Sequence, residues 1–141
     1  MRYYLLLSVV VVFFSCSKEN AVSQPSTELV IRGVDASYIP EIRSSGVVTK
    51  NSNGAAEDML TTLKNAGVNT IRLRLWKKPS DGHSGFEEVS KFAKEIKAAG
   101  LKVWLTVHYS DWWADPGKQT KPAQWNGISF NQLKDSGSWV V

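Results

Sequence analysis

The fold is decided by the stretch Asn69-Thr70-Ile71-Arg72-Leu73-Arg74-Leu75-Trp76, along which apolar and polar residues alternate. Successive side chains of a β-strand point to opposite faces of its sheet, so the alternation predicts a strand with two different faces. Ile71, Leu73 and Leu75 form an aliphatic face. The opposite face carries Thr70, Arg72, Arg74 and Trp76.

The same alternation recurs in residues 102–109, whose aliphatic face contrasts with a face that includes Trp104 and His108. Apolar residues at helical spacing predict helices over 55–66 and 86–99, and Gly67 and Gly100 follow them as stop signals. A short apolar run over 29–34 predicts an earlier strand. Strands that alternate with helices through such short links are parallel, with right-handed crossovers.

The polar strand faces favour a barrel over an open sheet. Helices cover both faces of an open, doubly wound sheet, so its strands are apolar on both sides. Here one face holds Arg72, Arg74 and His108. In a (β/α)8 barrel, aliphatic residues point outward at the helices and polar groups near the strand ends reach the active site. We therefore predict an α/β fold of the (β/α)8 barrel type, with the first three βα units in this chain.

The segment after the third predicted strand is rich in groups that bind sugars. Residues 108–125 contain one His, two Asp and three Trp. Trp offers a flat apolar face and an N–H donor, and Asp offers acceptors for hydroxyl groups. A long loop with this content at a strand end is typical of a binding site, so we predict a carbohydrate cleft. The alternative is that the Trp residues close the end of a core.

The N-terminus has the pattern of a bacterial lipoprotein signal. Arg2 precedes an apolar run over residues 5–14, and Ser15 and Cys16 follow it. We predict a signal peptide over 1–15, a lipid on Cys16, a flexible tether over 16–28 and the barrel segment over 29–141. This implies that the protein is secreted and anchored at the bacterial outer membrane. The sequence leaves open whether it faces the periplasm or the outer surface. The alternative is an ordinary secretory signal with an incidental Cys.

Composition argues against several other classes of function. The net charge is +4 without a basic stripe, which makes a nucleic-acid partner unexpected. No Gly-rich phosphate loop follows the first predicted strand, so nucleotide-binding folds are disfavoured. The two His residues, His83 and His108, lack the spacing of metal ligands. We expect no metal and no cofactor.

Several motifs in order resemble glycoside hydrolase family 53, the endo-β-1,4-galactanases that act on galactan and type I arabinogalactan. They are residues 33–41 (GVDASYIPE), 67–76 (GVNTIRLRLW), 98–102 (AAGLK), 108–119 (HYSDWWADPGKQ) and 122–125 (PAQW). The resemblance covers roughly residues 31–125. It implies a (β/α)8 barrel that hydrolyses galactan of plant cell walls with retention. A glutamate acid/base and a glutamate nucleophile perform this chemistry.

Neither catalytic glutamate of the family matches a residue of this chain. A (β/α)8 barrel takes about 250 residues, so both glutamates are expected beyond Val141 and the chain alone is expected to be inactive. Residues 135–141 also depart from the helix that the family has there. The competing interpretations are a non-catalytic galactan-binding lipoprotein, an inactive gene fragment, or a hydrolase of the same clan with another β-linked substrate.

The resemblance assigns roles to residues that are present. Arg72 matches an arginine that orients the nucleophile in the wider clan, and Arg74 and His108 are expected to support the active site with it. Predicted substrate-binding residues lie at the ends of the strands and in the loops after them. They are Asp35, Ser37, Trp76, Asp111, Trp112, Trp113 and Trp125. For Asp35, Ser37 and Asp111, the alternative is that they brace the loops.

Overall fold

A computed structural model describes residues 30–138. Three parallel strands form one sheet in the order β1 (Gly33–Asp35), β2 (Thr70–Trp76) and β3 (Lys102–His108). The helices are α1 (Ile39–Ser44), α2 (Met59–Asn65), α3 (Phe86–Ala98) and α4 (Phe130–Gly137), with a 3-10 turn at Ala123–Trp125. The predicted parallel βα order is confirmed. Within the described residues, no helix is both long and apolar enough to cross a bilayer.

On β2 the aliphatic face packs against the helices, as predicted. Ile71, Leu73 and Leu75 of β2 are buried at 0–3% exposure. They pack with Leu60 of α2 and with Val89, Phe92 and Ile96 of α3. The polar face points away from these helices. The aliphatic face is thus the one that joins the sheet to its helical layer.

The first strand begins four residues later than predicted, at Gly33 instead of residue 29. The side chain of Asn69 accounts for the later start. Its Oδ1 accepts from the Arg32 amide at 3.0 Å, and its Nδ2 donates to the Val30 carbonyl at 2.7 Å. A side chain therefore satisfies backbone groups that a strand partner would otherwise bind. Leu29 lies outside the described residues.

The helix predicted over 55–66 begins at Met59. Asp58 caps it, because its carboxylate accepts from the Leu60 amide at 3.0 Å. The residues before the cap fold into a turn closed by the antiparallel bridge between Lys50 and Ala56. Helix α1, which follows β1, was not predicted.

The tail prediction was wrong for three residues. Residues 135–137 continue α4, whereas the sequence indicated a departure from helix at residue 135. Ser129 explains the helix, since its hydroxyl accepts from the Gln132 amide and the Gln132 side chain accepts in return from the Ser129 amide. Residues 139–141 lie outside the described part of the chain.

Candidate functional site

The candidate site lies where the three strands end. Parallel strands in register bring their carboxyl ends to one edge of the sheet, with Asp35 opposite Arg72 and Trp76 opposite His108. The loops after β2 and β3 meet above this edge, because the Lys77 amide donates to the Ser110 carbonyl at 2.9 Å. Their residues therefore form one mouth at the end expected for a barrel active site.

Arg72 links all three strands on the polar face. Its Nη1 donates to Oδ2 of Asp35 on β1, and its Nε donates to Oγ1 of Thr106 on β3 at 2.9 Å. Burial by itself would raise the pKa of Asp35. Hydrogen bonds from Ser37 and the ion pair with Arg72 outweigh it and hold this pKa below its usual value. Asp35 thus serves as the carboxylate partner of Arg72 here.

His108 ends β3 on the same face and is half-buried. Burial, followed by the positive charges of Arg72 and Arg74, lowers the pKa of its imidazole. Within residues 30–138, the imidazole nitrogens of His108 form no hydrogen bond. A neutral imidazole has one donor and one acceptor nitrogen, which suits a contact with a hydroxyl group.

Arg74 lies inside an aromatic cluster, at 4% exposure, and not at the open mouth. Its guanidinium carbon is 4.1 Å from the ring centre of Trp113, 4.2 Å from that of Trp76 and 4.9 Å from that of Tyr38. Its Nη2 donates to Oγ of Ser84 at 2.9 Å. Within residues 30–138, Arg74 packs against aromatic rings and contacts no carboxylate, so its role in supporting the active site stays a prediction.

The tryptophans predicted to bind substrate differ in exposure. Trp112 and Trp113 are exposed at 48% and 41%, whereas Trp76 is buried at 2%. Trp76 stacks on Trp112 with ring centres 5.2 Å apart and meets Trp113 at 82°. Neighbouring rings and Arg74 cover Trp76 in this structure, which leaves little of its face open to a sugar, and its role as a sugar platform stays a prediction. Trp76 supports the exposed pair.

Ser37 and Asp111 act as braces in this structure, and a role of either in binding substrate stays a prediction. The buried Ser37 hydroxyl accepts from the Arg74 amide at 2.8 Å. The two carboxylate oxygens of Asp111 accept from the Lys78 amide at 3.0 Å and from the Ala123 amide at 2.8 Å. Asp111 therefore fastens the β2 loop and the distal part of the β3 loop to each other.

Trp125 lines a separate part of the β3 loop. Its indole N–H donates to Ser136 of α4 at 2.7 Å, and its ring lies 5.7 Å from that of Tyr109. These rings and His108 border an open cleft of about 480 Å³. The sequence reasoning missed Tyr109, although it adjoins His108 within the loop.

Tyr38 and Ser84 were also missed, and nothing in their local sequence marks them. Both matter through contacts with Arg74, which is distant in the chain. The predicted lipid site, Cys16, lies outside the described residues. Within those residues, no group of three or more His, Cys, Asp and Glu side chains is arranged to hold a metal ion.

Comparison with known proteins matches residues 31–136 to the sequence model of glycosyl hydrolase family 53. The endo-beta-1,4-galactanase of Bacillus subtilis is 40% identical over 112 residues, which are 74% of this chain and 26% of that protein. The probable arabinogalactan endo-beta-1,4-galactanase A of Aspergillus fumigatus is 43% identical over 119 residues, covering 84% of this chain and 32% of that protein.

Solved structures of proteins from this family are also similar to the chain. The catalytic domain of the family 53 protein from Ignisphaera aggregans superposes with a TM-score of 0.72 at 41% identity, over 80% of this chain and 34% of that chain. One of two fungal beta-1,4-galactanases superposes with a TM-score of 0.68 at 42% identity, over 79% of this chain and 32% of that chain. The chain spans between about a quarter and a third of the length of the relatives that it matches.

Proposed function

The chain belongs to glycosyl hydrolase family 53, and we propose that it provides the first three βα units of an endo-acting hydrolase of β-1,4-galactan. The whole enzyme would act on galactan and type I arabinogalactan of plant cell walls. The observation that carries this proposal is the exposed pair Trp112 and Trp113 in the loop after β3, at the edge of the sheet where His108 and the Arg72–Asp35 ion pair also lie. Aromatic faces next to neutral and charged hydrogen-bonding groups suit a pyranose ring with its hydroxyls.

The proposed chemistry is double displacement with retention. Two carboxyl groups about 5 Å apart perform it, one as nucleophile and the other as acid and base. No residue of this chain matches the two glutamates, so we propose that they come from βα units that follow in the complete barrel. Arg72 would hold the nucleophile ionised, since a guanidinium favours the charged form of a nearby carboxylate. His108, whose imidazole pKa is lowered by burial and by the charges of Arg72 and Arg74, would bind a substrate hydroxyl.

We also propose that the mature protein begins at Cys16 and carries a lipid that anchors it at the outer membrane. The sequence pattern of residues 1–16 is the support for this proposal. Radiolabelled fatty acid should enter the wild-type protein when the gene is expressed in a bacterium that processes lipoproteins. Incorporation that persists in Cys16→Ser would contradict the assignment.

A hybrid enzyme tests the galactanase proposal. Residues 31–136 of this chain replace the matched segment of the Bacillus subtilis endo-beta-1,4-galactanase, whose remaining barrel stays intact. We expect the hybrid to release oligosaccharides from β-1,4-galactan. The same preparation is assayed on β-1,4-xylan, β-1,4-mannan and β-1,4-glucan, and its folding is checked by circular dichroism and thermal melting.

Two further measurements complete this test. The anomer released first, followed by proton NMR, should be the β-anomer if the configuration is retained. The 141-residue chain on its own should release no product. A hybrid that melts cooperatively yet leaves galactan intact, or prefers another of the four glycans, would contradict the proposal.

A further inference from the structure

Arg74, which packs against the exposed Trp113, is a buried cation without a carboxylate partner among the described residues. Arg74 is 4% exposed, and no carboxylate within residues 30–138 forms an ion pair with it. The faces of three aromatic rings and one hydroxyl oxygen surround its guanidinium. A buried charge is costly unless it is compensated, so its position depends on these few contacts.

Ser84 supplies the only hydrogen-bond acceptor for this guanidinium within the described residues. Its Oγ accepts from Nη2 of Arg74 at 2.9 Å and from Nε at 3.2 Å. Ser84 is 2% exposed, which leaves its hydroxyl little access to water. The hydroxyl therefore restrains the guanidinium against the rings of Trp76 and Trp113.

The backbone of Ser84 is held in a conformation that serine rarely adopts. Its φ is 58°, in the left-handed region that favours glycine. Its carbonyl accepts from the Trp76 amide at 2.8 Å, and its amide donates to Oε1 of Glu88 at 2.9 Å. The strand before the loop and the helix after it thus place the Ser84 hydroxyl at Arg74.

We infer that Ser84 and Arg74 are positioning residues that set the orientation of Trp113 and Trp112 for a galactosyl unit. This inference rests on the proposed galactan function. Arg74 restrains Trp113 directly, because its guanidinium lies over the Trp113 ring. It restrains Trp112 indirectly, because Trp76 contacts Arg74 and stacks on Trp112. Neither Ser84 nor Arg74 touches substrate. A glycine at position 84 would fit the backbone better, but it would release the guanidinium.

Galactan binding and ring geometry are measured together on the 141-residue chain. Galactan affinity is followed by tryptophan fluorescence, and the arrangement of the rings by the near-ultraviolet circular dichroism band. We expect Ser84→Gly and Ser84→Ala to weaken galactan binding roughly tenfold and to reduce that band. Arg74→Lys keeps a cation over the rings but cannot donate twice to Ser84, so an intermediate effect is expected.

Arg43→Ala is the matched control, because Arg43 also lies over an aromatic ring, that of Phe92 at 5.4 Å. It is on the helical side and pairs with Asp58 and Glu95. This variant should melt earlier without changing either galactan affinity or the aromatic band. All measurements are made well below the melting temperature of the least stable variant.

Three outcomes count against the inference. They are unchanged affinity in the Ser84 variants, an unchanged aromatic band, and an Arg43→Ala effect as large as theirs on affinity. A wild-type chain that binds no galactan would instead count against the proposed function. In that case the aromatic band of the Ser84 variants still decides whether Ser84 orients the rings.

Discussion

Arg72 and Asp35 face each other in register on neighbouring strands and form an ion pair on the polar face of the sheet. The same guanidinium reaches Thr106 on the third strand. The arginine expected to orient a catalytic carboxylate is therefore already held in place within this chain. Fixed groups of this kind stabilise charge without having to rearrange during the reaction.

Replacing Arg72 should abolish most turnover while leaving the fold intact. In the hybrid enzyme, we expect Arg72→Ala to lower kcat/KM on galactan by about 100-fold or more, as for the loss of a preorganised donor. Arg32→Ala is the control, because Arg32 donates to the Gly67 carbonyl at the opposite end of the strands. Initial rates and melting curves of both variants check this. Turnover of Arg72→Ala close to that of Arg32→Ala would refute the assigned role.

The two histidines should titrate on opposite sides of the usual imidazole pKa, which is about 6.5. The hydrogen bond with Glu88 raises the pKa of His83, and burial with the charges of Arg72 and Arg74 lowers that of His108. On acidification His83 therefore gains its proton first. The chain has only these two histidines, so proton NMR of the imidazole signals resolves both.

The Arg72→Gln variant sharpens this prediction. Removing the positive charge should raise the pKa of His108 and leave that of His83 unchanged. Two results would contradict the proposed electrostatics of the site. One is that both imidazoles titrate together in the wild-type chain, and the other is that the pKa of His108 is the same with and without the Arg72 substitution.

Asp111 should stabilise the mouth more than Asp115 does. Asp111 joins two loops through the Lys78 and Ala123 amides, whereas Asp115 binds the Gly117 amide within its own turn. We expect Asp111→Ala to lower the free energy of unfolding by about 1–2 kcal/mol, and Asp115→Ala by less than about 1 kcal/mol. Urea unfolding of the two variants makes the comparison. Equal losses would mean that Asp111 is not a clamp between loops.

A pair of leucines in register tests how far the helical layer covers the aliphatic face of the sheet. Leu73 and Leu105 are partners on neighbouring strands, but Leu73 is 1% exposed and Leu105 41%. Leu73→Ala should cost about 2–5 kcal/mol of unfolding free energy, as for a cavity in a packed core. Leu105→Ala should cost about 1 kcal/mol, since much of that side chain stays in water. Urea unfolding checks this, because the midpoint of Leu73→Ala should lie below that of Leu105→Ala. The reverse order would contradict the prediction.

The strands were predictable because a period of two is a local property of the sequence. The alternation through Leu73 and Leu75 indicated both the strand and the face that packs against the helices. The true start of β1 was not predictable in this way. It depends on Asn69, whose side chain binds the backbone of residues 30 and 32, far away in the sequence.

The composition of the site was predictable, but the function of each side chain was not. A cluster of Trp and Asp indicated a sugar cleft, whereas the burial of Trp76 results from Arg74, Trp112 and Trp113 closing around it. Ser84 could not be found from its neighbours, because its importance comes from a contact made only in the folded chain.

The initial rate of oligosaccharide release from β-1,4-galactan by the hybrid enzyme tests the central claim most directly. If residues 31–136 form the first part of a galactan cleft, the folded hybrid cleaves galactan internally and faster than xylan, mannan or glucan. The double variant Trp112→Ala and Trp113→Ala then loses most of that rate. A folded hybrid without galactan hydrolysis, or one whose rate does not depend on these two tryptophans, would contradict the account.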